Sequence, residues 1–391
     1  MIELEEALRI VLDSARPLGS ERVDIGRALN RILAEDVTSD IDMPPFDKAL
    51  VDGYACRRAD LAGRLTIVET IQAGVSPTKA VGPNQCAKIM TGAAVPQGAD
   101  CVIMVEQTEN VGGHAIQFRG EWTPDNISRK GEDIKTGQVV LEKGSRIKPQ
   151  HIAVLASVGH IRPLVAKSPR VAIVATGDEL VGPALKPAPF QIRNSNSYQL
   201  AAQVESVGAA VRDYGIVRDT ATDIDRVLRT ALADNDVVII SGGVSVGEFD
   251  LVPPILRRNN VRLLFEKIAV KPGKPTVFGL LEKAYCFGLP GNPVSAFVVF
   301  ELLVRPFLYK LMGRDYSPVS IRMPLDESIT SESAERQTWI PVKVTSEGTV
   351  KPLEYHGSAH ILALCNADGL ISMGVGVANI EKGTPVPVRL I

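Results

Sequence analysis

Apolar and polar positions alternate along this chain in three rhythms, and the changes between them divide it. Leu4, Leu8, Val11, Leu12 and Ala15 recur at helical spacing until Pro17 and Gly19, which predicts an opening amphipathic helix. Ile25, Leu29, Ile32 and Leu33 keep that spacing and predict a second helix. Met43-Pro44-Pro45-Phe46-Asp47 then forbids helix, because the prolines lack a donor and force their predecessors into extended backbone. A unit boundary is expected there. From about 51 to 140, short apolar runs (65–71, 101–106, 114–118) alternate with Gly, Pro and Asn clusters and predict a β-rich insert. Residues 150–158 return to helical spacing and are expected to pack back on the first fifty residues, which leaves the insert as an excursion on two hinges.

From residue 170 the pattern becomes strand, turn, helix. Continuous apolar runs at 171–175, 211–217, 237–240, 263–270 and 276–281 read as strands, the first of the kind buried in parallel sheets. Between them come a helix over 196–207, with Leu200, Val204 and Val207 aligned, and one through Leu232 opened by a Thr222/Asp225 capping box. This alternation predicts a three-layer α/β/α domain with a mostly parallel sheet, whose ligands bind beyond the carboxyl ends of the strands. The run 296–308 is interrupted by Glu301, Arg305 and Pro306, so it reads as a buried helix and not a membrane span. After Gly313, alternation such as Trp339-Ile340-Pro341-Val342-Lys343-Val344 predicts a small β domain. The expected units are 1–46 with 141–168, then 47–140, 169–316 and 317–391.

At 391 residues the chain is long enough for several cores, and its 43 basic against 45 acidic residues leave no global field for nucleic acid or membrane. Any anion site must be local. Cys56, Cys86, Cys101, Cys286 and Cys365 form no C-x-x-C pair, which argues against a zinc site or disulfide framework and for a reducing cytoplasm. The start, Met1-Ile2-Glu3-Leu4-Glu5-Glu6, lacks the pattern of a signal peptide.

Candidate chemistry collects where strands are expected to end. Ser241-Gly242-Gly243-Val244-Ser245-Val246-Gly247 follows a strand, and its glycines allow backbone N–H groups to converge on a phosphate with the Ser245 hydroxyl at hand; a tight turn needing small residues is the alternative. Asp178, Glu179, Asp219 and Asp250 also follow strands or open a helix, where capping and turn chemistry are the plain roles. Their convergence on one phosphate loop would suit Mg²⁺, which takes one or two carboxylates plus substrate phosphates. Lys271-Pro272-Gly273-Lys274-Pro275 fixes two lysines in a turn, as solvated surface or as cations facing an anion. In Pro290-Gly291-Asn292-Pro293, Asn292 either caps the following helix or binds ligand. Gly243-Val244-Ser245-Val246-Gly247 also matches a G-x-S-x-G nucleophile elbow, with Asp250 and His356 or His360 as partners, but no H-G-G-G segment accompanies it.

Together with Val51-Asp52-Gly53-Tyr54-Ala55, Ile89-Met90-Thr91-Gly92-Ala93, Arg129-Lys130-Gly131-Glu132-Asp133 and Gly357-Ser358-Ala359-His360, these blocks make the whole chain resemble the molybdopterin molybdenumtransferase (MoeA) family, shared with the gephyrin E domain. The resemblance implies an L-shaped homodimer of four subdomains, with 1–46 plus 141–168 as a helical hinge and dimerisation unit and 47–140 as a β-rich lid. It implies Mg²⁺-assisted insertion of molybdate into adenylylated molybdopterin with release of AMP. Carried over by motif, Asp52 and Thr91 reach a partner's cleft, while Glu179, Asp219 and Asp250 serve the metal and pterin-phosphate region. Lys271 and Lys274 serve anions; Thr176, Gly177, Asp178, Ser241, Gly242, Gly243, Ser245, Gly247, Pro290 and Asn292 bind the cofactor. Where the family commonly reads Asn-Ser-Ala-Met, this chain has Lys48-Ala49-Leu50-Val51, and Glu335-Arg336, Trp339 and Pro341 replace the usual C-terminal pattern. A tungstate-specific transferase and a non-catalytic pterin-binding or scaffold paralogue are the alternatives.

Overall fold

The computed structural model describes residues 1–244, 251–331, 334–354 and 357–391. At its centre a six-stranded sheet runs in the order Ala210–Val217, Arg170–Thr176, Val237–Ser241, Tyr285–Leu289, Val277–Leu280, Arg262–Phe265. The first four strands are parallel and the last two antiparallel. Because side chains alternate across a strand, Val171, Ile173, Val237, Ile239 and Phe287 join one core with helices Leu4–Ser14 and Asn196–Val207 and the long helical run from Pro293. Ala172, Val174, Val238, Ile240 and Cys286 join the other with helices Ala221–Asp234 and Val252–Arg258.

Four local expectations differ from what is found. Tyr285–Leu289 is a central strand that the apolar pattern did not single out, since Cys286 and Gly288 dilute a run already short between Lys283 and Pro290. The expected strand 263–270 is two: Arg262–Phe265 edges this sheet, and Val270–Lys271 pairs with Gln337 and Thr338 of the C-terminal sheet. The capping box lies two residues earlier than expected, with Thr220 Oγ1 accepting from the Asp223 N–H at 3.1 Å. Its β-region backbone makes Thr220 the cap and leaves Thr222 inside the helix.

The fourth is the expected second helix, which reduces to a single 3₁₀ turn at Ile25–Arg27. Asn30 takes the left-handed conformation (φ 66°), ending the helical path, and Ile32 and Leu33 go on to bridge Arg146 and Val165. Ala28, Leu33 and Val37 share a small core with Leu141, Ile147, Leu155 and Val165. The opening helix belongs elsewhere: Leu4, Ala7 and Val11 are buried in the central core, and Tyr285 Oη donates to the Ser14 carbonyl at 3.0 Å.

The inserted unit is a six-stranded mixed sheet, ordered Cys101–Met104, Gly53–Cys56, Gln85–Ile89, Arg64–Ile71, Ala115–Phe118, Thr108–Asn110. Gly53 permits its closest approach, since a Cβ there would lie 1.9 Å from the Ile103 carbonyl oxygen. Cysteines scattered in sequence meet here. Cys56 is paired across the sheet with Cys101 and Cys86, and its Sγ lies 3.7 Å from that of Cys101. The C-terminal sheet adds Gln337–Val344, Gly369–Met373, Pro385–Leu390 and Ser320–Pro324 to Val270–Lys271.

The run 296–308 is helical and buried, with a π-helical turn at Phe300–Val304 ahead of Pro306. Pro306 has no N–H to give an α-helical turn and its ring crowds the carbonyl below, so the wider turn relieves both. Among the described residues no helix is long and apolar enough to cross a membrane.

Candidate active site

Three parallel strands of the central sheet deliver their last residues into one cleft of about 650 Å³: Thr176, Ser241 with Gly242-Gly243, and Pro290. The loop after Ala210–Val217 adds Asp219, and the turn after Thr176 adds Glu179. Gly242 has φ 101°, and a Cβ on it would sit 2.5 Å from the Thr176 carbonyl oxygen, so only glycine lets the two loops touch. Its N–H is spent on the Leu289 carbonyl at 3.1 Å. Asn196, buried at the start of its helix, bridges the loops: its Nδ2 donates to Ser241 Oγ at 2.7 Å and to the Gly291 carbonyl at 2.8 Å.

Negative charge gathers on one lip. Asp219 N–H donates to Asp178 Oδ1 at 3.2 Å, and the Asp219 carboxyl is held above its ordinary pKa by partial loss of solvent, then by the charges of Asp178 and Glu179. An Asp219 carboxyl held back from ionisation beside other carboxylates gains by sharing a cation. Among the described residues no three acidic, histidine or cysteine side chains form a closed metal cage. That donor set fits a hard cation that completes its shell with substrate oxygens and water.

Residues 2–159 match the family described as "MoeA N-terminal region (domain I and II)", 172–310 the "Probable molybdopterin binding domain" and 322–391 the "MoeA C-terminal region (domain IV)". The molybdopterin molybdenumtransferases of Staphylococcus aureus (strain COL) and Staphylococcus epidermidis (strain ATCC 12228 / FDA PCI 1200) are each 35% identical over 100% of this chain and 95% of their own length. The chain belongs to the MoeA family of molybdopterin molybdenumtransferases. A crystal structure of the molybdopterin biosynthesis moeA protein from Pyrococcus horikoshii OT3 superposes with a TM-score of 0.84 at 31% identity, covering 100% of both chains. A second, from Pyrococcus horikosii, gives 0.81 at 33% identity, covering 100% of this chain and 99% of that one.

For this MoeA-family chain the expected site residues divide into three groups. Thr176, Glu179, Asp219, Ser241, Gly242, Gly243, Pro290 and Asn292 line the one cleft, with Gly177 and Asp178 beside it in the turn after Thr176. Asn292 holds the cap position of helix Pro293–Val299 without a capping bond; its Nδ2 donates instead to Ser358 Oγ at 2.6 Å. Ser245, Gly247 and Asp250, and with them the nucleophile-elbow serine, lie outside the described residues, as does His356.

The second group sits near the C-terminal sheet. Lys271 lines a separate cavity of about 560 Å³ with Thr330, Thr338, Ile340 and Met373, while Lys274 is exposed. His360 lines a further cavity with Leu353, Glu354 and Leu362, although its neighbours Ala359 and Ile361 reach the main cleft. The third group is in the inserted unit. Asp52 Oδ1 accepts from the Thr91 N–H at 2.7 Å and from Thr91 Oγ1 at 2.8 Å, which lowers its pKa and fixes the exposed carboxylate. Lys48-Ala49-Leu50-Val51 supports that arrangement through its backbone, since the Ala49 carbonyl accepts from Gly92 at 2.8 Å and its N–H donates to Ala93 at 3.0 Å.

The motifs missed one wall of the cleft, formed by Ile192, Arg193, Asn194, Ser195 and Asn196. The signal available was the polar cluster Arg193-Asn194-Ser195-Asn196 immediately before a predicted helix. It reads as ordinary N-terminal helix chemistry until the fold turns it toward the glycine loop.

Proposed function

We propose that this protein inserts molybdate into adenylylated molybdopterin, with Mg²⁺ assisting, and releases AMP and the finished molybdenum cofactor in the cytoplasm. The observation that carries this reading is the cleft itself: Glu179 and Asp219 face the Thr176 and Gly242-Gly243 turns at the ends of parallel strands, in a chain related end to end to molybdopterin molybdenumtransferases. Gly243 and Ser241, with Ser245 and Gly247, hold the pterin phosphate, and Gly242, whose N–H is taken by Leu289, lets the turn come close enough for it. Glu179 and Asp219, with Asp250, take up the cation, for which the raised pKa of Asp219 is the supporting sign. When bound, the cation supplies a Lewis acid for the phosphoanhydride. Lys271 and Lys274 attract the anionic groups. The pterin dithiolene supplies sulfur to the metal, so the protein's own thiols have no part in the transfer.

In the same reading two copies associate. Residues 47–140 act as a lid on the stitched crossings at 43 and 134, where Met43 and Ile134 exchange backbone hydrogen bonds of 2.7 and 3.0 Å. The exposed Asp52–Thr91 pair of one copy then closes over the cleft of the other. The central unit 169–316 is taken as the catalytic domain, sandwiched between helical layers and joined by the opening helix.

AMP release from adenylylated molybdopterin tests the reading, measured with and without molybdate and Mg²⁺ in wild type and in Asp219→Asn and Asp250→Ala. Release is expected to need both additions and to fall at least about a hundredfold in either variant. Tight pterin binding without release, with molybdate or with tungstate, would replace the transferase by a cofactor-binding protein. Release with tungstate alone would reassign the oxyanion.

A further inference from the structure

We propose that Arg193 is the phosphate-binding residue for the adenylate group, an assignment that rests on the transferase reading for its substrate. Among the described residues lining the cleft, Arg193 is the cation; Glu179 and Asp219 are its charged companions. Its position is set by backbone, not by chance packing. Strand Ile192–Arg193 runs parallel to Leu180–Val181, with the Ile192 N–H on the Glu179 carbonyl at 2.8 Å and the Asn194 N–H on the Val181 carbonyl at 2.9 Å. Arg193 is thereby locked in register beside the acidic lip.

Its side chain is half committed. Nε donates to the Leu185 carbonyl at 3.0 Å, which fixes the plane of the guanidinium, and this is its one hydrogen bond among the described residues. The two terminal nitrogens, with four of the five N–H donors, stay available as a planar fork. A fork of that shape matches two oxygens of a phosphate and suits an anion that arrives with its own charge. Arg193 lines the same cleft as the Gly242-Gly243 turn but comes from a different wall, so with the pterin phosphate on that turn, as proposed above, it is suited to the second phosphate, the one that leaves as AMP. The contact also has a mechanical side. Leu185 lies within the excursion 182–191, where Leu185 and Phe190 are 60% and 98% exposed, so a phosphate on Arg193 braces that excursion through the Leu185 carbonyl.

The test uses the full-length protein with Mg²⁺ and AMP as the probe, followed by calorimetry and by hydrogen exchange over residues 182–193. Arg193→Ala is expected to weaken AMP about tenfold to a hundredfold, and Arg193→Lys to lie between. AMP is expected to slow exchange across 182–191 in wild type and not in Arg193→Ala. A thermal melt of each variant within a degree or two of wild type separates lost binding from lost folding. AMP affinity that is indifferent to Arg193→Ala, or no AMP binding by wild type, overturns the assignment whether or not AMP release is observed. AMP binding that depends on Arg193 in a protein that releases no AMP from adenylylated molybdopterin sustains the phosphate site and removes the transferase reading instead.

Discussion

Asp219 and Asp52 are both exposed carboxylates, yet their surroundings push them in opposite directions. Asp52 accepts two hydrogen bonds from Thr91 and ionises more readily than usual, so its contribution to stability is present above its ordinary pKa and lost as pH falls. Asp219 is raised by partial desolvation and by Asp178 and Glu179, so its folded state binds a proton more tightly than the unfolded chain does. Stability from that group is complete below its unfolded value, about 3.9, and declines as pH rises through the folded one. Cation-free wild type is therefore expected to lose stability relative to Asp219→Asn as pH rises above the unfolded value and through the raised folded one, followed by thermal melts of the pair. Mg²⁺ should restore wild type more than the variant, and increasingly so at higher pH.

The thiols give a second check at this scale. Burial pushes Cys86 and Cys286 up to about 12, Cys56 and Cys101 are buried against each other, and Cys365 is exposed. A thiolate is the reactive form. One of the five cysteines should react with a small alkylating reagent in native protein and all five in denaturant, with Cys365 the site found by peptide mapping. Rapid native labelling of Cys56 or Cys101 would show that the inserted sheet opens on the labelling timescale.

At the scale of elements, continuous apolar runs were legible and mixed ones were not. The strands at 170–176 and 237–241 and the helix at 196–207 carry unbroken or evenly spaced apolar residues, and the sequence alone locates them and the loops they aim. Tyr285–Leu289 is equally buried but holds a cysteine and a glycine, and its place in the sheet is decided by a hairpin with Val277–Leu280. The segment 25–33 has apolar residues at helical spacing because Ala28 and Leu33 face the small core with Leu141, Ile147, Leu155 and Val165 while Ile32 is buried in the central core, although Asn30 turns left-handed between them. Part of the candidate site was legible for the same reason. Glycines and carboxylates at strand ends announce themselves, whereas Arg193 and Asn196 depend on which way an excursion and a helix are turned.

The π-helical turn supplies an element-scale prediction. Glu301 is buried to 3% exposure and accepts from Arg305 at 2.6 and 2.8 Å and from Gln203 at 2.8 Å, while Arg389 of the last strand donates to its backbone carbonyl. Removing the carboxylate leaves Arg305 partly buried without its counter-charge. Glu301→Ala is expected to cost about 3–5 kcal/mol in denaturant unfolding. Glu301→Gln, which keeps the contact with Arg305, should cost less. Equal costs would mean that packing around the turn, and not the ion pair, holds it.

On the scale of the molecule, the candidate site residues fall into places that one copy does not bring together. Glu179 and Asp219 line the central cleft, whereas Asp52 and Thr91 face outward from the inserted sheet and are absent from the described lining of that cleft. If both sets serve one reaction, either the inserted sheet of the same copy or that of a second copy brings the outward pair in, and in the second case a two-fold dimer holds two composite sites. That geometry makes an arithmetic prediction. Asp52→Ala and Asp219→Ala should each abolish AMP release alone. After unfolding and refolding an equal mixture, half the dimers are mixed, and each mixed dimer carries one intact site and one doubly altered site. The mixture should therefore regain about a quarter of wild-type activity. If each cleft used its own Asp52, no site in any dimer would be whole and the mixture would stay inactive. Analytical ultracentrifugation of the same samples must show dimers, because a monomer that remains active would leave Asp52 with a role confined to the fold of the inserted sheet.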